Sequence, residues 1–301
     1  MRICGANCRN QFGNCYELGT DSLPVQCVGP WAQDKYSFLE RYIDATRMAR
    51  KKFTDKGNSV YIDLFSGPGR CIIRQSKKEI DGGALRVYKY KKVSFNEYIY
   101  IDLHNPNVKA LEKRVNSLMD CTFRCADANE YICDLMKTLR KKDYRYHFVF
   151  VDPFGPEDLK FPSLKLLAEL PRLDLLIHFP IGAIKRNISK WEKSDYGILD
   201  DFLGSGEWRA KISDFKKGQT LAFLLEIYKK QLMNIGFPED GLRTKDSHQN
   251  LWASLPAVSV RNIREVELYV LILASKHSIA QKIWDSLLDM EADGQRLIKW
   301  H

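Results

Sequence analysis

Long hydrophobic runs are missing from this sequence of 301 residues. The longest stretch of consecutive apolar residues, Leu268 to Ala274, is far shorter than the roughly 20 residues of a membrane-spanning helix. Residues 1–30 also lack the basic-then-apolar order of a secretory signal. No internal repeat or low-complexity segment occurs. We therefore expect a cytoplasmic protein with an ordinary globular core.

Acidic residues are in short supply, with 38 Asp and Glu against 47 Lys and Arg, and the net charge is +9. The basic residues concentrate in four segments, 47–52, 86–92, 140–145 and 185–193. Such clusters suit a polyanionic partner, either RNA or DNA. They are equally typical of solvated helix faces, so charge alone leaves both interpretations open.

Cysteine is unevenly distributed, and half of the eight cysteines fall within the first 27 residues. Disulfides are rare in a cytosolic chain, which leaves metal binding or plain packing. Cys4, Cys8, Cys15 and Cys27 supply four thiols, enough for a tetrahedral zinc ion. The paired C-x2-C spacing of a zinc ribbon is absent, so a zinc site and unligated cysteines both stay open.

Strands and helices alternate along most of the chain. The apolar runs at 60–65, 147–151 and 173–179 are typical of strands buried on both faces, as in a parallel sheet. Their alternation with amphipathic segments predicts an α/β doubly wound domain over residues 31–301. We expect an irregular Cys-rich arm at 1–30, a polar insertion at about 181–215, and a final antiparallel pair of strands at 257–260 and 267–274.

The segment Asp63-Leu64-Phe65-Ser66-Gly67-Pro68-Gly69 follows the first of these strands. Glycines let the backbone approach a ligand closely and adopt positive φ. A dinucleotide site would have a third glycine where this chain has Ile72, and Pro68 removes one N–H that could bind phosphate. The turn is therefore poorly suited to a pyrophosphate and better suited to a ligand with a ribose and an amino-acid end.

Three further acids follow the next strands in turn: Asp102, Asp127 and Asp152. In an open α/β sheet the ligand lies at the carboxyl ends of the strands. Asp102 there can accept ribose hydroxyls, and Asp127 can accept from an adenine amino group. Each acid alone is also a common helix N-cap, but a regular series of four favours a binding crevice.

This order resembles that of Rossmann-like S-adenosylmethionine-dependent methyltransferases, whose D-x-F-x-G-x-G pattern is met by Asp63, Phe65, Gly67 and Gly69. The resemblance implies S-adenosylmethionine as cofactor, held by Asp63, Phe65, Gly67, Pro68, Gly69, Asp102 and Asp127. It also implies a sheet that is mostly parallel, with an antiparallel hairpin at its C-terminal end.

A second motif, Asp152-Pro153-Phe154-Gly155, directly follows the strand at 147–151. It resembles the corner of amino-methyltransferases that act on nucleobases, and its D-P-F-G form is similar to that of tRNA guanine-N2 methyltransferases. The carboxylate and a carbonyl of the Pro region would accept the hydrogens of an exocyclic amino group, and Phe154 would stack on the base. A base in a duplex would first have to be extruded. The alternative is a stabilising turn in a methyltransferase of another substrate.

At a finer level the chain resembles the three-Cys-motif partner proteins. The similarity lies in segments 61–69 and 149–155, in His178-Phe179-Pro180, and in Ala274-Ser275-Lys276-His277. The family name implies a protein partner with a three-cysteine, radical-enzyme-like motif. The expected function is N-methylation of a base amino group in nucleic acid. The alternative is a catalytically silent binding module that serves such a partner. His178 lies near the expected pocket, where a substrate contact and a satisfied buried histidine are both open.

Overall fold

The structure, a computed structural model, describes residues 8–115, 120–141, 144–194, 197–212, 220–239, 257–261 and 267–288. The strands of these residues are β1 Gln26–Val28, β2 Ser59–Asp63, β3 Arg70–Ile73, β4 Glu79–Asp81, β5 Glu97–Asp102, β6 Cys121–Cys125, β7 Tyr146–Val151, β8 Leu173–Phe179, β9 Ala257–Arg261 and β10 Glu267–Ser275. The helices are α1 Trp31–Ala45, α2 Arg47–Thr54, α3 Gly83–Lys89, α4 Asn105–Arg114, α5 Ala128–Leu139, α6 Phe161–Leu167, α7 Ile181–Glu192, α8 Ile198–Leu203, α9 Trp208–Lys211, α10 Thr220–Asn234 and α11 Ser278–Leu288.

Seven of the strands within the described residues form the main sheet, in the order β6-β5-β2-β7-β8-β10-β9. β2 pairs in parallel with β5 and β7, and β5 pairs in parallel with β6. β10 is antiparallel to both β8 and β9. The chain winds outward from β2 to β6 and then returns to β7, as in a doubly wound fold. The predicted fold class, a mostly parallel Rossmann-like sheet with an antiparallel C-terminal hairpin, is confirmed.

Burial explains why these segments form strands. All five residues of β2 are buried, and so are the residues of β7 after Tyr146. The rings of Tyr61 and Phe148 stack across the β2–β7 pair with centroids 5.9 Å apart. A strand covered on both faces has no solvent face, which is why its sequence is apolar at consecutive positions.

Contacts divide the molecule into two compact units. The first contains the described residues of 8–128 and 144–150, and the second those of 129–141 and 151–288. Among the helices of the described ranges, none has both the length and the apolar character needed to cross a bilayer.

The Cys-rich arm, from Cys8 onward, packs within the first unit. Its β1 joins β3 and β4 in a small three-stranded sheet, in which Gln26 is paired with Cys71 and Cys27 with Ile72. This small sheet was not predicted, because β1 and β4 have only three residues each and β3 only four. The arm is therefore built directly against the segment that follows Gly69.

The predicted insertion at 181–215 is helical in its described part, where it contains α7, α8 and α9. Trp208 and Phe202 are fully buried in the second unit. The Phe202 ring stacks on Tyr228 of α10, and Phe179 at the end of β8 packs on both rings, with all three centroid distances 5.3 Å. Phe202 and Trp208 of this segment therefore belong to the core of the second unit.

Candidate functional site

Asp63, the last residue of β2, begins the glycine turn. Its side chain is buried and accepts hydrogen bonds from the Tyr61 hydroxyl at 3.0 Å and from the Phe65 N–H at 3.2 Å. The bond from Phe65, two residues further along, is an Asx-type turn that bends the chain out of the strand. Asp63 thus shapes the start of the turn, while Phe65 is half-buried beyond it.

Gly67 and Gly69 have φ values of +60° and +86°, a region that side chains with a Cβ rarely adopt. A Cβ on Gly69 would lie only 2.7 Å from Cδ1 of Leu111 in α4. Pro68 between them is buried. Both glycines are therefore required by the backbone, and the turn lies tightly against α4.

Asp102, at the end of β5, faces this turn. One of its carboxylate oxygens accepts the Gly67 N–H at 2.9 Å, and the other accepts the His104 N–H at 2.8 Å and the Asn107 side-chain amide at 3.0 Å. Burial raises the pKa of Asp102, against the lowering effect of these donors. Because three donors already bind this carboxylate, few of its lone pairs remain for ribose hydroxyls. The role of Asp102 in binding a ribose stays a prediction. Its observed role is to fix the glycine turn.

Asp127 lies between β6 and α5, and its side chain is half-buried. The preceding residue, Ala126, donates its N–H to the backbone carbonyl of Asp102 at 3.1 Å. The structure therefore brings three predicted cofactor positions together in the first unit, namely the glycine turn, Asp102 and the Asp127 segment. Leu103, which sequence reasoning missed, is an exposed apolar side chain directly after Asp102.

Two buried polar atoms around the turn have no hydrogen-bond partner among the described residues. They are the Ser66 hydroxyl oxygen and the side-chain carbonyl oxygen of Asn14. Buried polar groups are normally paired, so an unpaired hydroxyl within a glycine turn fits a ligand that supplies hydrogen-bonding groups. The donors, acceptors and glycines at this turn are chemically compatible with the amino-acid end and ribose of S-adenosylmethionine.

The second motif begins the residue after β7 and belongs to the second unit. Oδ1 of Asp152 lies 2.8 Å from Nδ1 of His178 in β8. The backbone carbonyl of Pro153 lies 3.2 Å from the same nitrogen. The side chains of Asp152 and His178 are largely buried, with about a tenth of each exposed. One ring nitrogen of His178 therefore holds both the Asp152 carboxylate and the Pro153 carbonyl.

Asp158 holds the rest of this corner in place. Its Oδ2 accepts the N–H groups of both Phe154 and Gly155 at 3.1 Å. Its backbone carbonyl accepts the Asn129 side-chain amide at 2.9 Å. The Phe154 ring is half exposed, which is unusual for so large an apolar residue in a corner with fixed backbone. Sequence reasoning missed Asp158, although an acid three residues after Gly155 is a capping signal.

The cysteines give no support to zinc. Among the described residues, no group of three or more His, Cys, Asp or Glu side chains is placed to hold a metal ion. Cys4 lies outside the described residues. Cys8, Cys15 and Cys27 share a small apolar cluster with Val25 and Ile72 instead, so packing accounts for the three that are described.

A cleft of about 380 Å³ lies elsewhere in the first unit, between α1, β4 and α3. Its lining includes Glu40, Asp81, Arg86 and Lys89. These groups pair with one another, as Arg86 does with Glu40 at 3.3 Å and Lys89 with Asp81 at 2.7 Å. No motif residue lines it, and its charges neutralise each other, so it is not the candidate site.

No protein-family model matches this sequence, and no curated protein is significantly similar to it.

Solved structures do show similarity. They include protein LPL1258 from Legionella pneumophila, with 9% identity, a TM-score of 0.45, and coverage of 84% of this chain and 89% of that one. Trm1 from Pyrococcus horikoshii, solved with S-adenosyl-L-methionine, has 11% identity, a TM-score of 0.41, and coverage of 89% and 62%. The plantazolicin methyltransferase BpumL, solved with SAH, has 12% identity, a TM-score of 0.35, and coverage of 82% and 88%. At these scores the similarities carry no functional conclusion, and membership of the three-Cys-motif partner family is not shown.

Proposed function

We propose that this protein is an S-adenosylmethionine-dependent N-methyltransferase that acts on an exocyclic amino group of a nucleic-acid base. The observation that carries the proposal is that Nδ1 of His178 holds the Asp152 carboxylate and the Pro153 carbonyl side by side, so that two hydrogen-bond acceptors lie together at this corner. It is supported by a strand order and a glycine turn that resemble those of methyltransferases.

The cofactor would be held at the glycine turn by Asp63, Phe65, Gly67, Pro68 and Gly69, with Asp102 and Asp127 on the neighbouring strands. When bound, it supplies an electrophilic methyl group on a sulfonium. β2, which precedes the turn, is adjacent and parallel to β7.

The corner would orient the acceptor. A carboxylate has several lone pairs and a carbonyl has two, so Asp152 and Pro153 can each accept a further N–H while His178 holds them. An amino group with both hydrogens held in this way has its lone pair fixed in direction. Positioning of this kind lowers the activation barrier of a transfer reaction substantially. Phe154, exposed beside these acceptors, would stack on the ring that carries the amino group, as aromatic side chains do with single-stranded bases.

The charge distribution favours one of the four basic segments as a nucleic-acid contact. In the first unit Arg47, Lys89 and Lys92 pair with acids at 2.7–3.0 Å, so those segments are solvated helix faces. Arg186, Lys190 and Lys193 are exposed along α7 and its C-terminal cap, spaced by four and three residues, and form what we call the α7 stripe. α7 begins two residues after β8, three residues from His178. The α7 stripe therefore supports a polyanionic substrate near the corner.

The test is titration calorimetry with S-adenosylmethionine and its demethylated product, followed by transfer of a labelled methyl group to RNA and DNA pools. We expect binding of both small molecules and transfer to one pool. Asp152→Ala should keep cofactor affinity and lose at least 100-fold in transfer, because it removes the side-chain acceptor that orients the amino group. Asp134→Ala, which removes the same side chain from an exposed position in α5, is the matched control and should transfer normally.

Absence of binding to either small molecule would overturn the proposal. Binding without transfer to any pool would favour the silent binding module, with a three-Cys-motif protein as its partner. Normal transfer by Asp152→Ala would show that the corner is a structural turn.

A further inference from the structure

Two thiols in the N-terminal arm lie close together. The sulfur atoms of Cys8 and Cys27 are 3.0 Å apart, although the residues are 19 positions apart in the sequence. Both cysteines are free thiols in this structure. A disulfide bond is about 2.05 Å long, so a small rotation of either side chain would bring the sulfurs within bonding distance. This pair takes no part in the proposed transfer.

The chain between the two cysteines touches the segment that follows Asp102. The Phe12 ring stacks on the His104 ring with centroids 3.9 Å apart. The Asn14 side-chain amide donates to the side-chain oxygen of Asn107 at 2.6 Å, and Asn107 in turn donates to Asp102. These contacts place the arm over one side of the candidate cofactor position.

The same stretch of chain also reaches the glycine turn. The Gln26 side chain is the group nearest to where a Cβ on Gly67 would lie, at 3.6 Å, and it accepts a hydrogen bond from the Cys71 thiol at 3.7 Å. Arg114 of α4 donates to the backbone carbonyl of Pro24 at 2.8 Å and binds Asp21. Residues 8–27 therefore lie across both the turn and the end of β5.

We propose that Cys8 and Cys27 form a dithiol modification site, whose reversible oxidation to a disulfide fastens residues 8–27 over the cofactor position. The chemical step is independent of the proposed function, and only its effect on the cofactor rests on that function. Two S–H bonds break and one S–S bond forms. A low-molecular-weight disulfide such as glutathione disulfide takes up two electrons and two protons and leaves as two thiols.

The two sulfurs differ in accessibility, which sets the order of events. Cys8 is half-buried, whereas Cys27 is only 2% exposed. Burial raises the pKa of Cys27, and the hydrogen bond to Cys8 raises it further, so Cys27 stays a thiol at neutral pH. Cys8 would attack the external disulfide first. Cys27, 3.0 Å away, would then lose its proton and resolve the mixed disulfide, a step that its raised pKa makes slow at neutral pH. Cys15, buried in the same cluster, is the competing third thiol.

The experiment uses the full-length protein, reduced or treated with glutathione disulfide. Intact mass and peptide mapping locate the bond, hydrogen exchange reports on residues 9–26, and release of labelled S-adenosylmethionine is timed. We expect a loss of 2 Da, one peptide pair linked through Cys8 and Cys27, slower exchange in residues 9–26, and cofactor release slowed at least threefold. Dithiothreitol should reverse each change.

Two variants serve as controls. Cys8→Ser replaces the more exposed thiol with little change in volume and should abolish the link and all its effects. Cys15→Ser should behave like the parent protein. A link through Cys15, a link without slower exchange, or zinc held stoichiometrically by the reduced protein would overturn the proposal. If S-adenosylmethionine does not bind at all, the proposed function fails, while the linked peptide and the exchange data still decide the modification site.

Discussion

Gly69 gives the turn after β2 a conformation that is unfavourable for any other residue for two reasons, backbone strain and steric overlap. Its φ of +86° is strained for a residue with a Cβ, and the Cβ itself would lie 2.7 Å from Leu111. We expect Gly69→Ala to destabilise the protein by about 2–4 kcal/mol, from left-handed strain plus overpacking. Urea unfolding followed by circular dichroism measures the loss.

Gly57→Ala separates these two causes. Gly57 has a φ of +70°, but a Cβ there would meet nothing within 4 Å. This variant should lose only the strain component, about 1–2 kcal/mol. Equal losses in the two variants would show that Leu111 moves aside freely and that the turn is less tightly packed than the structure indicates.

The site residues divide according to how far apart in sequence their contacts are. Asp63, Gly67 and Asp102 were predictable, because each occupies a fixed position relative to a strand end. The partners Asn14 and Asn107 were not, because their hydrogen bond joins residues 93 positions apart and neither lies in a motif. The sequence pattern thus predicts which residues follow a strand end, but long-range packing decides which of their lone pairs are already used.

Element boundaries follow the same logic. β8 was predicted with its observed bounds, because its largely apolar run, interrupted only by Asp174 and His178, ends abruptly at Pro180. The apolar residues of the segment 31–53 have a helical spacing that suits one helix, yet the structure has two, α1 and α2. The break lies at Thr46, whose hydroxyl donates to the Tyr42 carbonyl at 2.8 Å and competes with the helical backbone bonds. Such local competition leaves no mark on hydrophobic periodicity.

The arm is attached through an ion pair whose pH dependence can be measured. Hydrogen bonds from Arg114 lower the pKa of Asp21 to about 2 from its ordinary 3.8. A depressed pKa stabilises the folded state above pH 3.8, and this stabilisation is lost as the pH falls towards 2. Asp21→Asn should therefore cost on the order of 1 kcal/mol at pH 6, the modest size usual for a partly exposed pair.

The difference between Asp21→Asn and the parent should shrink between pH 4 and 2, as followed by urea unfolding at each pH. Asp55→Asn is the control, because Asp55 pairs with Lys51 in a much more exposed site. Its effect on stability should be smaller at every pH. A constant difference for Asp21→Asn down to pH 2 would contradict the pairing with Arg114.

The α7 stripe makes a prediction about salt. Each phosphate contact to a single strand contributes about −0.7 to the slope of log K against log salt concentration. Replacing Arg186, Lys190 and Lys193 with Gln should therefore make that slope less negative by about 2, as measured by fluorescence anisotropy with labelled single-stranded RNA or DNA. Lys51, Lys52 and Lys56, at and after the end of α2, provide a matched triple replacement. Equal slope changes in the two triple variants would argue against a specific α7 contact.

At the scale of the whole molecule, the net charge of +9 is a poor guide by itself. Much of the basic surface in the first unit is matched by nearby acids, as at Arg47, Lys51, Lys89 and Lys92. The second unit contains both the α7 stripe and the acceptor corner. Net charge is therefore informative about solubility, whereas the distribution of paired and exposed Lys and Arg side chains decides which surface can bind a polyanion.

The increase in stability on ligand binding distinguishes a protein that binds S-adenosylmethionine from one that binds NAD. A ligand that binds only the folded state at 100 times its Kd adds about 2.7 kcal/mol to the free energy of unfolding. We expect S-adenosylmethionine to do this and NAD to leave the unfolding midpoint unchanged. The reason lies at Pro68 and Ile72, since the turn lacks an N–H and a third glycine that a pyrophosphate would use. Thermal unfolding at several ligand concentrations measures both effects. Stabilisation by NAD that rises with its concentration would show that the turn binds a pyrophosphate. That result would contradict S-adenosylmethionine as the cofactor and, with it, the proposed methyl transfer.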